Sequence, residues 1–378
     1  MKKNLINLTT IIMLFLLCGC HSGKTNLFSS FLVATAPIVS SSNCSTMPDS
    51  KLTITDLVTG KQQLILSVNE VGLRLPTISP DGTKLAYIAS KPQCFKSSKF
   101  GLEGNFGTES VWVINLDGSG NHKVSGDLQA ALLRDEHNQC WEYQSISNFI
   151  GWSPDSKFIA FQHINKLTGF KEIHVVGTDK EVKYLIQDKK TETLAFTWGQ
   201  SDHSFASTHN NLLEITTGDG ILIIEPLPNK IDNIKNLHMD EANKKIYLSD
   251  TTTDLKRVTI WSFEYIKRVW DSKVIEKTDN PSKIEVSNNG AFFFNQDEVL
   301  FQEFSSDKDM ELPFLKKEHY PAFQGNIRFF PETKQFLVVS DDGTVFLSNN
   351  AGFYDVIIKL PLSPVEASGI IYYDFFIN

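Results

Sequence analysis

Apolar and polar positions along the chain change over in short bursts separated by turn residues, which predicts many short strands. Runs such as Lys84-Leu85-Ala86-Tyr87-Ile88-Ala89 and Lys157-Phe158-Ile159-Ala160-Phe161 are apolar and nearly uncharged, as a strand covered on both faces should be. Others alternate: Val111 to Leu116 before Asp117-Gly118, and Leu52 to Leu57 before Thr59-Gly60, each the pattern of a strand with one wetter face. Between strands stand Ser79-Pro80-Asp81-Gly82 and Ser153-Pro154-Asp155-Ser156. Proline presets φ at the second turn position and Asp and Gly tolerate the remaining dihedrals, so each segment ends one strand and reverses into the next.

These segments are copies of one motif. Ile78 through Tyr87 aligns with Trp152 through Phe161, and a degenerate third copy runs from Trp198 through Ser201-Asp202 to Ala206. Weaker copies start at His238, Val286 and Phe329. The leading positions are spaced by 74, 46, 40, 48 and 43 residues, a period near 44 after the first interval. That is the length of a four-stranded propeller blade. The expected fold is therefore all-β: a single β-propeller of four-stranded antiparallel blades over residues 51–378. Stepping one period on from Phe329 reaches the terminal run Ile370 to Phe376, whose partners would be Leu52 to Leu57 and Gln63 to Leu66, with Phe31 to Val39 as a further candidate. A composite seventh blade built from both termini is favoured, with six blades as the alternative. Trp152 and Trp198 are expected as core wedges between blades, and His238, at the same repeat position, as a packed core histidine.

The motif resembles the WD-like repeats of the TolB family of periplasmic β-propellers, whose consensus is close to W-S-P-D-G-K-x-I-A-F followed by a strand and an Asp-x-Asp-Gly-like turn. The likeness is carried by Ser79 to Tyr87, Trp152 to Phe161 and Trp112 to Gly118, and it weakens towards the C-terminus. It implies the fold and a periplasmic location more than any activity, because propellers host binding, scaffolding and catalysis alike.

Composition then adds a location. Of 378 residues 41% are hydrophobic, 27 are Phe and only 5 are Met, which suits stacked strands. The net charge of -8 gives no sign of a chain built to neutralise phosphates, so no nucleic-acid partner is expected. Residues 1–19 read as a secretory signal: Lys2 and Lys3, then an apolar stretch ending in the unbroken run Ile11 to Leu17, too short to span a bilayer. Leu17-Cys18-Gly19-Cys20 resembles a bacterial lipobox; the alternative is an ordinary signal peptide containing two cysteines. The resemblance implies that Cys20 becomes the lipidated first residue, carrying palmitate-type chains, and two or three chains anchor stably where one would not. His21 in place of Asp implies the outer membrane, with the domain facing the periplasm. Losing Lys2 and Lys3, with no acid in residues 1–19, takes the charge from -8 to -10. Residues 20–50, Ser/Thr-rich with Pro37 and Pro48, read as a lipidated cysteine and flexible tether, apart from the strand-like Phe31 to Val39.

The long first interval places its surplus in two insertions, 91–109 and 126–145, expected as elaborated loops on one face of the ring. Each holds one cysteine, Cys94 and Cys140, a candidate disulfide in an exported protein; Cys44 in the tether is left over. Phe95, Phe106, Trp141 and Tyr143 form a candidate binding face, since long loops on a rigid scaffold commonly carry recognition. No G-x-S-x-G elbow, C-x-x-C, H-E-x-x-H or Gly-rich phosphate loop occurs. Ser201-Asp202-His203 lies side by side on a repeat turn, whereas triad members meet through the fold. His163, His174, His203 and His209 fall on or beside predicted strands without metal-ligand spacing. No catalytic residue, metal or other cofactor is expected. The reading is a lipid-anchored envelope propeller that binds a partner protein without catalysis; the alternative is a propeller lyase or hydrolase acting on polysaccharides with a site in the central channel.

Overall fold

The computed structural model describes residues 30–37 and, across 50–377, the strands and many of the turns between them. Among these residues the strands form seven antiparallel sheets. Sheet 1 holds β1 (Ser30–Pro37), β2 (Ser50–Asp56) and β3 (Gln62–Val68). Sheet 2 holds β4 (Gly72–Ile78), β5 (Lys84–Ser97), β6 (Leu102–Asn115), the short β7 (His122–Lys123), β8 (Leu128–Arg134) and β9 (Cys140–Tyr143). Sheet 3 is β10 (Ile146–Trp152), β11 (Phe158–Ile164), β12 (Lys171–Gly177) and β13 (Val182–Asp188). Sheet 4 is β14 (Ala195–Trp198), β15 (Phe205–His209), β16 (Leu212–Thr216) and β17 (Leu222–Pro226). Sheet 5 is β18 (Ile234–Asp240), β19 (Lys245–Thr251), β20 (Arg257–Glu264) and β21 (Val269–Glu276). Sheet 6 is β22 (Lys283–Val286), β23 (Gly290–Phe294), β24 (Val299–Glu303) and β25 (Asp309–Glu311). Sheet 7 is β26 (Ile327–Phe330), β27 (Gln335–Val339), β28 (Thr344–Ser348) and β29 (Tyr354–Lys359). The last strand, β30 (Tyr372–Ile377), returns to sheet 1 and pairs with β1, Phe31 opposite Phe376 and Val33 opposite Asp374.

Sheets 2 to 7 each begin with the strand that carries a repeat position. Ile78, Trp152, Trp198 and Val286 are the last residues of β4, β10, β14 and β22, while His238 and Phe329 lie within β18 and β26. Neighbouring first strands approach one another in order, β30 with β4, β4 with β10, β10 with β14 and β14 with β18. The second strands explain the uncharged runs. Leu85 and Tyr87 of β5 pack towards sheet 1 with Leu52 and Ile54, while Ala86 and Ile88 pack towards sheet 3 with Ile159 and Phe161. Ala160, one residue on from Ile159, packs instead towards sheet 4 with Phe196 and Phe205. Period-two alternation thus supplies two apolar faces, and apolar burial at about 25 cal/mol per Å² glues sheets 1 to 4 together in order.

Two wedges add a directional bond. Trp152 Nε1 donates to the Thr77 carbonyl at 3.0 Å and Trp198 Nε1 donates to the Gly151 carbonyl at 3.1 Å, each reaching the residue before the preceding repeat position. His238 does not reproduce this; it is largely buried and stacks on Tyr247, ring centres 6.3 Å apart.

Candidate functional site

The described parts of the two insertions are mostly strand. β5 and β6 stay paired over fourteen positions, from Lys84 opposite Asn115 to Ser97 opposite Leu102. β7 covers the inner part of β6, with Trp112 opposite Lys123, and β8 covers its outer part, from Asn105 opposite Leu132 to Glu109 opposite Leu128. β9 then pairs with β8. Lys91–Ser97, Leu102–Glu109, β8 and β9 thus make an additional antiparallel sheet instead of the expected loops, which satisfies backbone groups that a long loop would leave to water. Gln93, Phe106, Ala131 and Tyr143 share one row of it, and Phe95 and Trp141 lie two positions along on β5 and β9. By register the four expected aromatics therefore fall on one face.

The two cysteines are not brought together. Cys94 on β5 and Cys140 on β9 have β6 and β8 between them. Three strand spacings of about 4.8 Å exceed the roughly 7 Å Cα separation a disulfide tolerates. Residues 1–19, Cys20 and Cys44 lie outside the described residues.

At the root of this extra sheet sits a buried polar clasp. Arg74 of β4 pairs with Glu109 of β6, both almost fully buried; its Nε donates to Glu109 Oε1 at 3.1 Å and its Nη2 donates to the same oxygen. Ser90 Oγ donates to Oε1 at 3.0 Å. Glu109 Oε2 accepts the Ile146 N–H at 2.7 Å, and Arg74 Nη2 donates to the Ile146 carbonyl at 2.8 Å. Both charges belong to sheet 2, yet they close on the first residue of sheet 3. Burying such a pair is tolerable only because their remaining atoms find backbone partners; Arg74 Nη1 alone is left without one.

Beside that clasp three titratable side chains converge. Ile146 is the register partner of His163, and His163 is the register partner of Glu172 on β12. Glu172 Oε2 lies 3.1 Å from His163 Nδ1 and 3.0 Å from His174 Nε2. His163 and Glu172 are buried and His174 nearly so. Phe161 stacks on His174, centres 5.2 Å apart and planes 12° from parallel. Burial pushes the His174 imidazole pKa down, helped by the neighbouring His163 and opposed by Glu172. The expectation of no metal-ligand set is corrected here: the donor atoms of His163, Glu172 and His174 all lie within 4.8 Å of one another. The cluster faces sheet 2, not the central axis, because it shares the parity of Ile159 and Phe161.

The repeat turns form a second polar series. Ser79 Oγ donates to Asp81 Oδ1 at 2.6 Å and accepts the Lys84 N–H at 2.9 Å. Ser153 Oγ does the same with Asp155 and Phe158, at 2.6 and 2.9 Å. The Asp81 N–H donates to Ser156 Oγ at 3.1 Å, joining the two turns. In sheet 4 the carboxylate comes from the next sheet: Glu241 Oε2 accepts the Ser201 N–H at 2.7 Å and Ser201 Oγ at 2.6 Å. Ser201 is thus held in its turn by Glu241, and the His203 ring lies beside that of Phe158, centres 6.2 Å apart.

No family model matches the chain, and no curated protein matches it in sequence. Solved structures do resemble it. The β-propeller domain of the Trilobed protease from Pyrococcus furiosus superposes with a TM-score of 0.51 at 12% identity, over 86% of this chain and 92% of that one. The fold is a β-propeller. Acylaminoacyl peptidase is similar over 86% of this chain and 50% of its own, with a TM-score of 0.51 and 15% identity. A prolyl endopeptidase is similar over 87% and 47%, with a TM-score of 0.51 and 12% identity. This chain spans about half the length of those two peptidases, and at such identities the likeness concerns the propeller alone.

The propeller gathers its unusual features at one junction, that of sheets 2 and 3. Reading the sequence found the inserted aromatics there. It missed Arg74, Glu109 and the histidine cluster, although Glu172 and His174 alternate only a few residues on from His163 in the next apolar run, a signal that pairing the two runs would have caught.

Proposed function

We propose that this chain is a TolB-like, membrane-anchored propeller of the bacterial cell envelope, facing the periplasm from the outer membrane, whose work is to bind a partner protein through the extra sheet of blade 2. In this reading the seven sheets are seven blades, and Cys20 carries the lipid. One observation carries the binding assignment: the repeat is broken at a single blade by an ordered sheet of fourteen-residue strands, where the strands of the other blades run to eight residues or fewer. A rigid sheet pre-pays the ordering cost that a mobile loop would incur on binding. Its aromatic positions, Phe95, Phe106, Trp141 and Tyr143, are of the residue types enriched at interface centres.

The test is crosslinking and capture from bacterial envelopes. Protein with these four aromatics changed to Ser should lose a partner that the native protein captures, while keeping its thermal transition. Equal capture by both proteins would remove the binding assignment. Incorporation of labelled palmitate that persists in a Cys20→Ser variant would remove the anchor.

A further inference from the structure

We propose that His163, Glu172 and His174 form a binding site for one divalent transition-metal ion, zinc by its chemistry, in the space between blades 2 and 3. This goes beyond the partner-binding reading and stands without it. Two imidazoles and one carboxylate are the donor set of several three-ligand zinc centres, and imidazole nitrogen selects against calcium and magnesium. The spacing suits a shared ion. Two ligands each about 2.1 Å from one tetrahedral zinc sit roughly 3.0 to 3.5 Å apart. Glu172 Oε2 already has that separation from both nitrogens, at 3.1 and 3.0 Å. Only the two imidazole nitrogens, which lie no more than 4.8 Å apart, have to close.

The strands impose this arrangement. His163 is fixed opposite Glu172 by the β11–β12 register, and Glu172 and His174 are two apart on β12, which puts all three on one face. Around them lie the supports that metal sites use to aim their ligands. The Phe161 ring stacks on His174, and Ile146, opposite His163, is pinned through its N–H and carbonyl by Glu109 and Arg74. The side chains of His163 and Glu172 are 7% and 5% exposed and that of His174 is 17% exposed, so the His174 side is where an ion would enter. Three protein ligands leave a fourth tetrahedral position for water or for a side chain from a bound partner. Facing an ionised Glu172, each neutral imidazole would carry its N–H on the side of the carboxylate; to ligate an ion there each ring would take its other tautomer, the proton moving to the far ring nitrogen, while the strands stay in place.

The full-length protein, stripped of metal with a chelator and then dialysed against Zn²⁺, should retain one zinc per chain by elemental mass spectrometry. With Co²⁺ it should develop the intense visible bands of a four-coordinate site. Glu172→Gln and His174→Ala should each weaken zinc binding at least as far as the roughly 10- to 100-fold that outer-shell partners command. His209→Ala, on blade 4, should bind as the native protein does. Native protein that retains no zinc and shows no four-coordinate cobalt spectrum overturns the site, whatever the variants do. So does zinc binding that survives both Glu172→Gln and His174→Ala at native strength.

Discussion

The junction of blades 2 and 3 and the junction of blades 4 and 5 bridge the same kind of gap with opposite uses of charge. At the first, Arg74 and Glu109 are sealed from water and grip the backbone of Ile146. At the second, a lone carboxylate, Glu241, reaches from blade 5 into the degenerate turn of blade 4 and takes two hydrogen bonds from Ser201. The first buries a charge pair that fails badly if halved. The second borrows across blades what Asp81 and Asp155 supply within their own turns. A repeat with Ser201 at the position held by Asp81 and Asp155 thus takes a carboxylate from the next blade and couples the two.

The sharpest way to break this comparison is to halve the pair. Glu109→Gln should cost about 3–5 kcal/mol, because it strands the Arg74 guanidinium without its counter-charge; chemical denaturation would measure it, and a loss below that of Glu241→Gln would reverse the ranking. Glu241→Gln should cost about 1.5–3 kcal/mol, the usual value of hydrogen bonds to a charged group. The same junction can be probed sterically. A Cβ on Gly199 would lie 2.6 Å from Glu241 Oε1 and closer still to Ser204 Oγ, so Gly199→Ala should cost about 1–3 kcal/mol by crowding. Asp155→Ala, which touches a single half-open turn, should cost only about 1 kcal/mol.

Acid separates the regions as well. Burial raises the carboxyl pKa of Asp81, Asp155 and Glu241, but hydrogen bonds from Ser79 and Thr83, from Ser153 and Lys157, and from Ser201 and Ser204 outweigh it, holding each below the ordinary carboxylate range. A depressed folded-state pKa means that the unfolded chain takes up the proton first as pH falls. Their stabilisation is therefore complete above the ordinary carboxylate range and disappears as pH drops through and below it. Melting scans from about pH 6 to about pH 3 should show a falling transition temperature, with a shallower fall in Glu241→Gln.

The blades were legible because their information is local. Ser79-Pro80-Asp81-Gly82 encodes its own turn, and the Trp152 and Trp198 positions repeat at blade length. The return of β30 to β1 was legible by counting periods. What escaped depends on register and distance. Arg74 and Glu109 are 35 residues apart, and nothing near either announces the other. His163 meets Glu172 only through the β11–β12 register, and a one-residue slip would put them on opposite faces. The insertions were misread as loops because Gly104, Gly107 and Pro92 are poor strand formers, and pairing on both sides of β6 overrode that local preference.

The pairing of β1 with β30 also orders events in time. Its two strands lie more than 330 residues apart along the chain, which makes the contact that completes sheet 1 the strand pairing most distant in sequence among the described residues. Contacts of such separation form late, because the intervening chain must be ordered first. During synthesis β1 therefore waits with an unpaired edge, the kind of surface that aggregates or recruits a chaperone. β30, which emerges long after β1, is the strand that retires that hazard.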